Sequence, residues 1–482
     1  MVVVPVTASG QQKLTLSLEE AVMRAQNDSP AAISAKHSFR ASYWSWRSFK
    51  ADQLPSLTFR SSPSLNRSYN AITKEDGTTA YVNQNQLSTD ARLDINQKVA
   101  LTGGTIYAST YLQRTDLFGD NKGHSYMSNP ITIGYSQQNL FGYNSQKWQR
   151  KIQPLNYEYA KKYYISTMEI IASTATSYFF DLATAQNQLD MAMFNLMNCD
   201  TLLSIGIRRY EKLGTITENE MLQLELNRLN QETSVLTAQI DVDDRIATLR
   251  SYLGITDDVE IDVITDTHVP DFTVDEELAY NLALENNPSV VNWEIQRLSS
   301  ESSVASARSQ GGFSASLGVE FGLNQSGREI RDVYQNPNDR EVASIGISIP
   351  ILDWGRHKGE VRVARSNRDR IYASLEQERI DFRTSILRAI RQFNIQGHRI
   401  MVARKADETA RRKYDVAQKL FVLGKSSTLE LTNATAEKDQ AGNSYINALW
   451  DYWSKYYSIR RLTGFDFESQ RPLTEDYDTL IQ

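Results

Sequence analysis

Between Pro350 and Pro472 the chain contains no proline, and Gly424 lies near the middle of that stretch. Proline ends or kinks a helix, so a run free of it can support one of unusual length. Residues 356–423 would make a helix of roughly 100 Å at about 1.5 Å rise per residue. The usual globular helix has about 11 or 12 residues. The pattern predicts two very long helices folded back on each other at Gly424. A second proline-free stretch, Pro154 to Pro270, repeats the arrangement around Gly214.

Composition narrows what such a chain can be. Of 482 residues, 40% are hydrophobic and 23% charged, which is a folded composition. A net charge of −6 argues against nucleic acid as a general partner. Mean hydropathy is −0.47, and no run approaches the roughly 18 apolar residues of a membrane-spanning helix. That excludes a helical membrane protein but not a β-barrel, whose alternating strands leave little hydropathy signal. The single cysteine, Cys199, allows no intrachain disulfide. No cysteine stands near the start to carry a lipid anchor. Residues 1–12, apolar and then small, read as the end of an export signal that lacks its basic start.

The chain repeats itself. Residues 14–30 end in Asn27, Asp28, Ser29 and Pro30, and residues 273–288 end in Glu285, Asn286, Asn287 and Pro288, at an offset of 258. Both read as short amphipathic helices, with Leu18, Ala21, Val22 and Ala25 set against Leu278, Ala279, Leu282 and Ala283. Further on the offset falls to 211 between Leu140-Phe141 and Ile351-Leu352, and to 210 between Gly214 and Gly424 and between Gly254 and Gly464. The first copy therefore holds about 48 extra residues somewhere between 57 and 140.

That region carries strand patterns. Ala91, Leu93, Ile95 and Val99 alternate with Asp90, Arg92, Asp94, Asn96 and Lys98 over residues 89–99. Leu101, Thr102, Gly103 and Gly104 form a hairpin-turn signal, and residues 105–113 lead back out. In the second copy Ala315, Leu317, Val319, Phe321 and Leu323 alternate with Ser316, Gly318, Glu320 and Gly322. Ala343, Ile345, Ile347, Ile349 and Ile351 alternate with Ser344, Gly346 and Ser348. Each run is about 10 residues, the length of a tilted strand crossing a bilayer. Residues 71–87, 116–129 and 325–341 read as exposed loops. A soluble sandwich would also alternate, but these strands feed straight into helices too long for a sandwich to cover.

The helices carry their own period. Met168, Ile171, Ala175, Tyr178, Leu182, Ala185, Leu189, Ala192, Leu196, Cys199 and Leu203 are spaced three and four apart throughout. A strict heptad implies a left-handed supercoil with partner helices. Ile371, Leu375, Phe382, Ile386, Phe393 and Ile400 continue the stripe in the second copy. An ordinary coiled-coil rod would explain the helices but not the strands.

No catalytic constellation stands out, so no enzyme and no cofactor is expected. His37, His124, His268, His357 and His398 are scattered without metal-ligand spacing. Gly424, Lys425 and Ser426 look like the end of a phosphate loop, but Lys419 occupies the place of the required glycine and a helix precedes it. Residues 356–413 hold sixteen Lys and Arg against seven Asp and Glu. They lack interleaved surface aromatics and read as bridges to neighbouring acidic helices, not as a nucleic-acid surface. Cys199 reads as a small core residue of the heptad stripe.

Short helix, strands with a loop, a strand-to-helix joint, long helix, glycine turn and long helix, all stated twice, resemble the TolC family of outer-membrane efflux and secretion ducts. The residues that carry the likeness are Pro350-Ile351-Leu352-Asp353-Trp354-Gly355, Lys212-Leu213-Gly214 through Glu220, and Val422-Leu423-Gly424 through Glu430. The resemblance spans nearly all of residues 14–465 and implies an α+β membrane protein. In it, a tandem-repeat homotrimer closes one β-barrel in the outer membrane of a Gram-negative bacterium. A long periplasmic α-helical barrel of coiled-coil hairpins continues it. Residues 1–13 would be residual signal or disordered start, 14–254 the first repeat and 273–464 the second. Barrel strands would lie within 57–140 and 314–352, and helical hairpins at 145–253 and 356–463. The inter-repeat segment 255–272 and the acidic tail 465–482 would fall at an equatorial girdle. The family usually gives four strands per chain. Here six candidates leave open whether the barrel is larger or the extra hairpin lies outside it.

The resemblance also points to sites. Gly214, Thr215, Gly424 and Lys425 would form the tip that docks a periplasmic adaptor, a membrane fusion protein, and through it an inner-membrane transporter. Glycine also suits any helix end that needs a left-handed residue. In some relatives acidic residues six and nine positions after the second tip glycine ring a closed aperture. Those positions are Glu430 and Asn433, with Glu220 the counterpart of Glu430 in the first repeat. Three copies of Glu430 near one axis would make a cation-attracting, pH-sensitive gate. With the second acidic residue absent, a plain solvated glutamate is the competing reading. The whole is expected to be a passive exit duct of a tripartite efflux pump or type I secretion system. A periplasmic coiled-coil scaffold or adaptor is the alternative.

Overall fold

The computed structural model describes residues 13–119, 122–208, 210, 217–257, 259–266 and 268–481. The export-signal reading of residues 1–12 and the tip residues Gly214 and Thr215 lie outside them. In chain order the elements begin β1 (Lys13–Ser17), α1 (Leu18–Asp28), α2 (Pro30–Ala51), β2 (Ser56–Arg60), β3 (Ser64–Thr73) and β4 (Thr79–Lys98). Next come β5 (Thr105–Leu117), β6 (Gly123–Gln137), α3 (Ser145–Arg208), α4 (Glu218–Leu253) and β7 (Glu260–Ile264). The second repeat supplies α5 (Glu276–Asn286), α6 (Pro288–Gln310), β8 (Ser314–Gly327), β9 (Asn338–Ser348), α7 (Arg356–Asn394), α8 (Gln396–Val422) and α9 (Thr428–Thr463). β10 (Phe465–Asp466), β11 (Arg471–Pro472) and α10 (Tyr477–Ile481) close the chain. Two spatial units divide it, and each draws on both repeats.

The unit of residues Ser42–Glu158 and Val291–Glu376 is built on one antiparallel sheet in the order β2-β4-β5-β6-β8-β9, with β3 also on β4. β2 and β3 share one lane. Ser56 pairs with Asn96 and Ser64 with Ser88, so a single register runs through both. Only residues 61–63 interrupt it, where Pro63 has no N–H to give. The Ser62 N–H donates to the Asp90 carboxylate at 3.1 Å in place of a backbone partner. The extra hairpin of the first copy is therefore an integral part of the sheet, which has six lanes.

Strand lengths correct the sequence reading. β4 has 20 residues, β6 15 and β8 14, and the stretches expected to be loops at 71–87 and 116–129 are largely strand, whereas 325–341 is mostly loop, as expected, between β8 and β9. Alternation stops where both faces turn polar, but the backbone ladder needs no apolar side chain. The Asn, Gln, Ser and Thr of residues 83–89 simply continue it.

The other unit, up to Ala41 with Tyr159–Val290 and Gln377–Gln482, is helical. α3 runs 64 residues, about 96 Å at 1.5 Å per residue. Its heptad stripe buries Met168, Ile171, Ala175, Leu182, Ala185 and Ala192. α1 opens on a reciprocal cap, the Ser17 hydroxyl accepting from the Glu20 N–H while the Glu20 carboxylate accepts from the Ser17 N–H. α5 opens on Asp275 at the same repeat position. Of its four expected core residues, Ala279 and Ala283 are buried, but Leu278 is 49% exposed, because Ala21 and Ala279 rather than the leucines are equivalent.

The single helix expected over 356–423 is two, parted at Ile395. There the Asn394 side chain leaves the helix's service and binds Val274 both ways, accepting from its N–H and donating to its carbonyl, each at 2.9 Å. Gly397, a weak helix former, follows directly.

The segments expected at a girdle are tied to the long helices. β1 lies parallel to β7, and the Gln186 amide of α3 bridges Ile261 and Val263 of β7. Tyr452 donates to the Pro270 carbonyl. Beneath these, Arg460 grips Glu169 with two bonds of 2.9 and 3.1 Å and reaches Asp466 at 3.0 Å. Glu169 is 4% exposed, and its burial pushes the carboxyl up even against the neighbouring guanidinium. Breaking one half of a buried pair leaves a charge stranded. Arg460→Ala is expected to cost about 3–5 kcal/mol, seen as a lower unfolding temperature. Glu169→Leu with Arg460→Met should recover most of it, and an unshifted single variant would contradict this account.

Candidate functional site

Two surfaces stand out: the turns between the long helices, and the faces of the sheet. The second turn is the one whose residues are described. At the end of α8 the Gly424 N–H donates to the Phe421 carbonyl and the Lys425 N–H to the Leu420 carbonyl, both at 2.9 Å. That pair of bonds satisfies carbonyls the helix leaves over, and it requires the left-handed φ of +75° that Gly424 adopts. α9 then begins at once. Ser427 accepts from the Glu430 N–H at 3.2 Å, and the Ser426 hydroxyl donates to the Glu430 carboxylate at 2.7 Å.

The first repeat starts its second helix in the same way, 210 residues earlier. Thr217 accepts from the Glu220 N–H at 3.3 Å, and the Glu220 carboxylate accepts from the Thr217 N–H at 2.8 Å and from its hydroxyl at 3.0 Å. These bonds, the backbone one foremost, hold the Glu220 carboxyl below its ordinary range. Glu220 and Glu430 are thus both third residues of capped helices, engaged in starting them. Glu430, Asn433, Gly424 and Lys425 are exposed.

Behind the turns the two hairpins share one core. Leu202 of α3, Leu224 of α4, Tyr414, Ala417 and Phe421 of α8, and Leu431 and Ala434 of α9 pack together. The structure therefore brings Glu220 and Glu430 to the same end of one four-helix layer, each within a turn of that core. One step further along, the Lys438 ammonium sits between the Phe194 and Tyr414 rings, 4.8 and 4.6 Å from their centres. It also donates to Asn195, which donates to Asp439.

The sheet is one-sided. Cross-strand pairs place Leu57, Leu93, Ile95, Ile106, Ile133, Tyr135, Val319, Phe321, Ile345 and Ile347 on one face, and the band crosses all six lanes. These side chains are mostly solvent-exposed, with Leu57, Phe59 and Ile345 at 68%, 64% and 70%. On the same face beyond the band stand Tyr69 and Tyr81. Past the strands' other ends, at the joints to α3 and α7, Phe141 and Trp354 are 82% and 90% exposed. An apolar band flanked by aromatic side chains suits lipid.

The opposite face is polar and cross-linked. Tyr107 donates to Glu320 at 3.0 Å, and Glu320 pairs with Arg340. The Tyr107 ring lies across Gly134, where any side chain would collide with it. Arg92 and Arg60 flank Asp94 at 2.7 and 3.8 Å. The sequence reading had Glu320 and Asp94 on a polar face, but only the strand registers show which partners lie across from them.

Among the described residues no group of His, Cys, Asp and Glu could hold a metal ion, and no helix is long and apolar enough to cross a membrane. The fold thus defines a chain with an exposed apolar β-sheet face and with paired helical hairpins. Residues 279–465, almost the whole second repeat, match the model of the outer membrane efflux protein family. A comparison with curated proteins gives no match. The fold is similar to the Campylobacter jejuni CmeC outer membrane channel, with TM-score 0.67 at 14% identity over 96% of this chain and 88% of that one. It is similar also to the Neisseria gonorrhoeae MtrE outer membrane channel in its open state (0.63, 12%, 95% and 91%). The Vibrio cholerae outer membrane protein VceC gives 0.63, 12%, 93% and 96%. The resemblance to TolC-family channels is borne out, over residues 279–465 by the family and over nearly the whole chain by the fold.

Loss of a cap costs about 1 kcal/mol. Ser427→Ala and Thr217→Ala should each speed amide exchange in the first turn of the following helix about fivefold, leaving β1 and β7 unchanged. Gly424→Val forces a branched residue into a left-handed φ, and its exchange should rise more than that of Ser427→Ala.

Proposed function

We propose that this chain is the passive outer-membrane exit duct of a tripartite efflux pump. Three copies close the sheet into a barrel, the helical hairpins form a periplasmic tunnel, and the turns at Gly214 and Gly424 meet a periplasmic adaptor. The observation that carries this reading is the exposed apolar band on one face of a sheet whose other face is polar. A soluble protein would cover such a face, whereas a barrel wall turns it to lipid and lines water with the polar one. The family match at 279–465 supports it. The same architecture would serve type I secretion. A periplasmic scaffold has no use for the apolar band.

The energy for export comes from an inner-membrane partner, since the duct itself only opens and shuts. In this reading the tip holds the gate, and Glu430, Asn433 and Glu220 line it. Glu220 accepts its N–H bond as a carboxylate, so it loses its charge at a lower pH than a free glutamate does.

Membranes extracted in detergent should yield a particle whose protein mass, by light scattering, is three times 54.8 kDa. A soluble monomer needing no detergent would overturn the reading. In planar bilayers Glu430→Gln should lower cation selectivity, measured as a smaller reversal potential in a salt gradient, and an unchanged potential would remove Glu430 from the gate. Bulky substitution at Gly214 or Gly424 should abolish export while trimers still assemble; unaltered export in both variants would remove the turns from docking.

A further inference from the structure

The sheet ends in two unpaired edges, the β2/β3 lane on one side and β9 on the other. Its apolar band does not fade toward either edge. Leu57, Phe59 and Leu65 carry it in the first lane, and Ala343, Ile345 and Ile347 in the last. Both edges therefore belong at hydrocarbon depth, where a backbone N–H or C=O without a partner is not tolerated and only closure supplies one.

Lane number and direction decide what can close it. Successive lanes run antiparallel, and six is even, so β9 runs opposite to the β2/β3 lane. Another copy set beside β9 presents its β2/β3 lane antiparallel, with its apolar face continuing the band. Had the β2/β3 lane and β4 stood outside the wall, they would have no reason to carry apolar residues on the same face as β5 through β9. They do carry them, and in the same height range: Leu57 pairs with Ile95, Ile95 with Ala108, and Ile106 with Tyr135.

We infer that β9 of each copy pairs with the β2/β3 lane of the next, so that three copies close a barrel of eighteen strands in which the extra hairpin is wall. The inference rests on the trimeric duct proposed above and specifies its seam. Barrel diameter grows roughly linearly with strand number, and at 16–18 strands a barrel encloses a water-filled channel. The lumen at the membrane is then about half again as wide as a twelve-stranded wall would leave, and it admits correspondingly bulkier solutes.

The test is disulfide scanning in outer membranes, on a chain carrying Cys199→Ser. One set of variants places a cysteine at Ser344, Gly346 or Ser348 of β9 together with one at Ser56, Thr58 or Ser64 in the first lane. A second set combines the same β9 positions with Ser109, Tyr111 or Gln113 of β5, which would be the edge if the β2/β3 lane and β4 stood outside the wall. The detergent-extracted mass is measured for every variant. A trimer in which members of the first set, and none of the second, link into covalent dimers and trimers on oxidation supports the eighteen-stranded wall. A trimer linked through the second set, or one in which no member of the first set links, overturns it and leaves the duct standing. A particle that is not a trimer overturns both.

Discussion

A sheet that gathers most of its exposed apolar side chains on one face cannot stay in water with that face bare, and much of this chain follows from that constraint. It explains why the strands alternate over about nine residues and then turn polar on both sides. It explains why the polar face is stitched by Tyr107, Glu320 and Arg340, since a wall wetted on one side can keep charges only where they are partnered. It also gives a reason for the exposed aromatic residues at the joints, where a strand leaves the band and a helix begins. The helical unit answers a different need. It buries most of the α3 stripe from Met168 to Ala192, while Leu222, Leu226, Leu229, Leu236 and Ile240 of α4 stay exposed, and its deepest charges, Glu169 and Arg460, are matched within it.

Much of this was legible in the residues themselves. Two proline-free runs, each with a glycine near its middle, located both hairpins, and an offset of 210 tied Gly254 to Gly464, which prove to be equivalent left-handed helix ends. The threonine or serine three places before Glu220 and Glu430 was legible in principle as a capping signal. In the structure the Glu220 carboxylate closes such a cap with Thr217, while Glu430 gives its N–H to Ser427 and its carboxylate accepts from the Ser426 hydroxyl. What sequence could not supply was register. Nothing along the chain says that Tyr107 lies across Gly134, or that Asn394 turns from its own helix to the Val274 backbone, because those neighbours are 27 and 120 residues away. Strand ends were misjudged for a related reason: periodicity reports burial, and a ladder of Asn, Gln, Ser and Thr carries on without it.

The repeat deserves to be seen as two solutions of one problem. Both copies start their long return helix on a hydroxyl that accepts from the N–H of a glutamate three residues on and end it on a left-handed glycine, but they differ in what they give the sheet. The first copy contributes four lanes and the second only two. Helical hairpins must match each other to share the core around Phe421 and Leu431. Sheet lanes face no such demand, because adding two antiparallel strands leaves the direction of the edge unchanged. Duplicated chains of this kind can therefore change their wall without disturbing their helices.

The gap at residues 61–63 bears on the journey such a chain makes before it is assembled. An unpaired strand edge is a template for indiscriminate pairing, and crowded copies in transit would aggregate through it. Here the edge is cut by a proline into pieces of five and ten residues, and the N–H beside it is already occupied by Asp90. In the wall inferred above, a neighbour in the one alignment that uses the whole edge would engage both pieces at once, and a slipped one would lose the shorter.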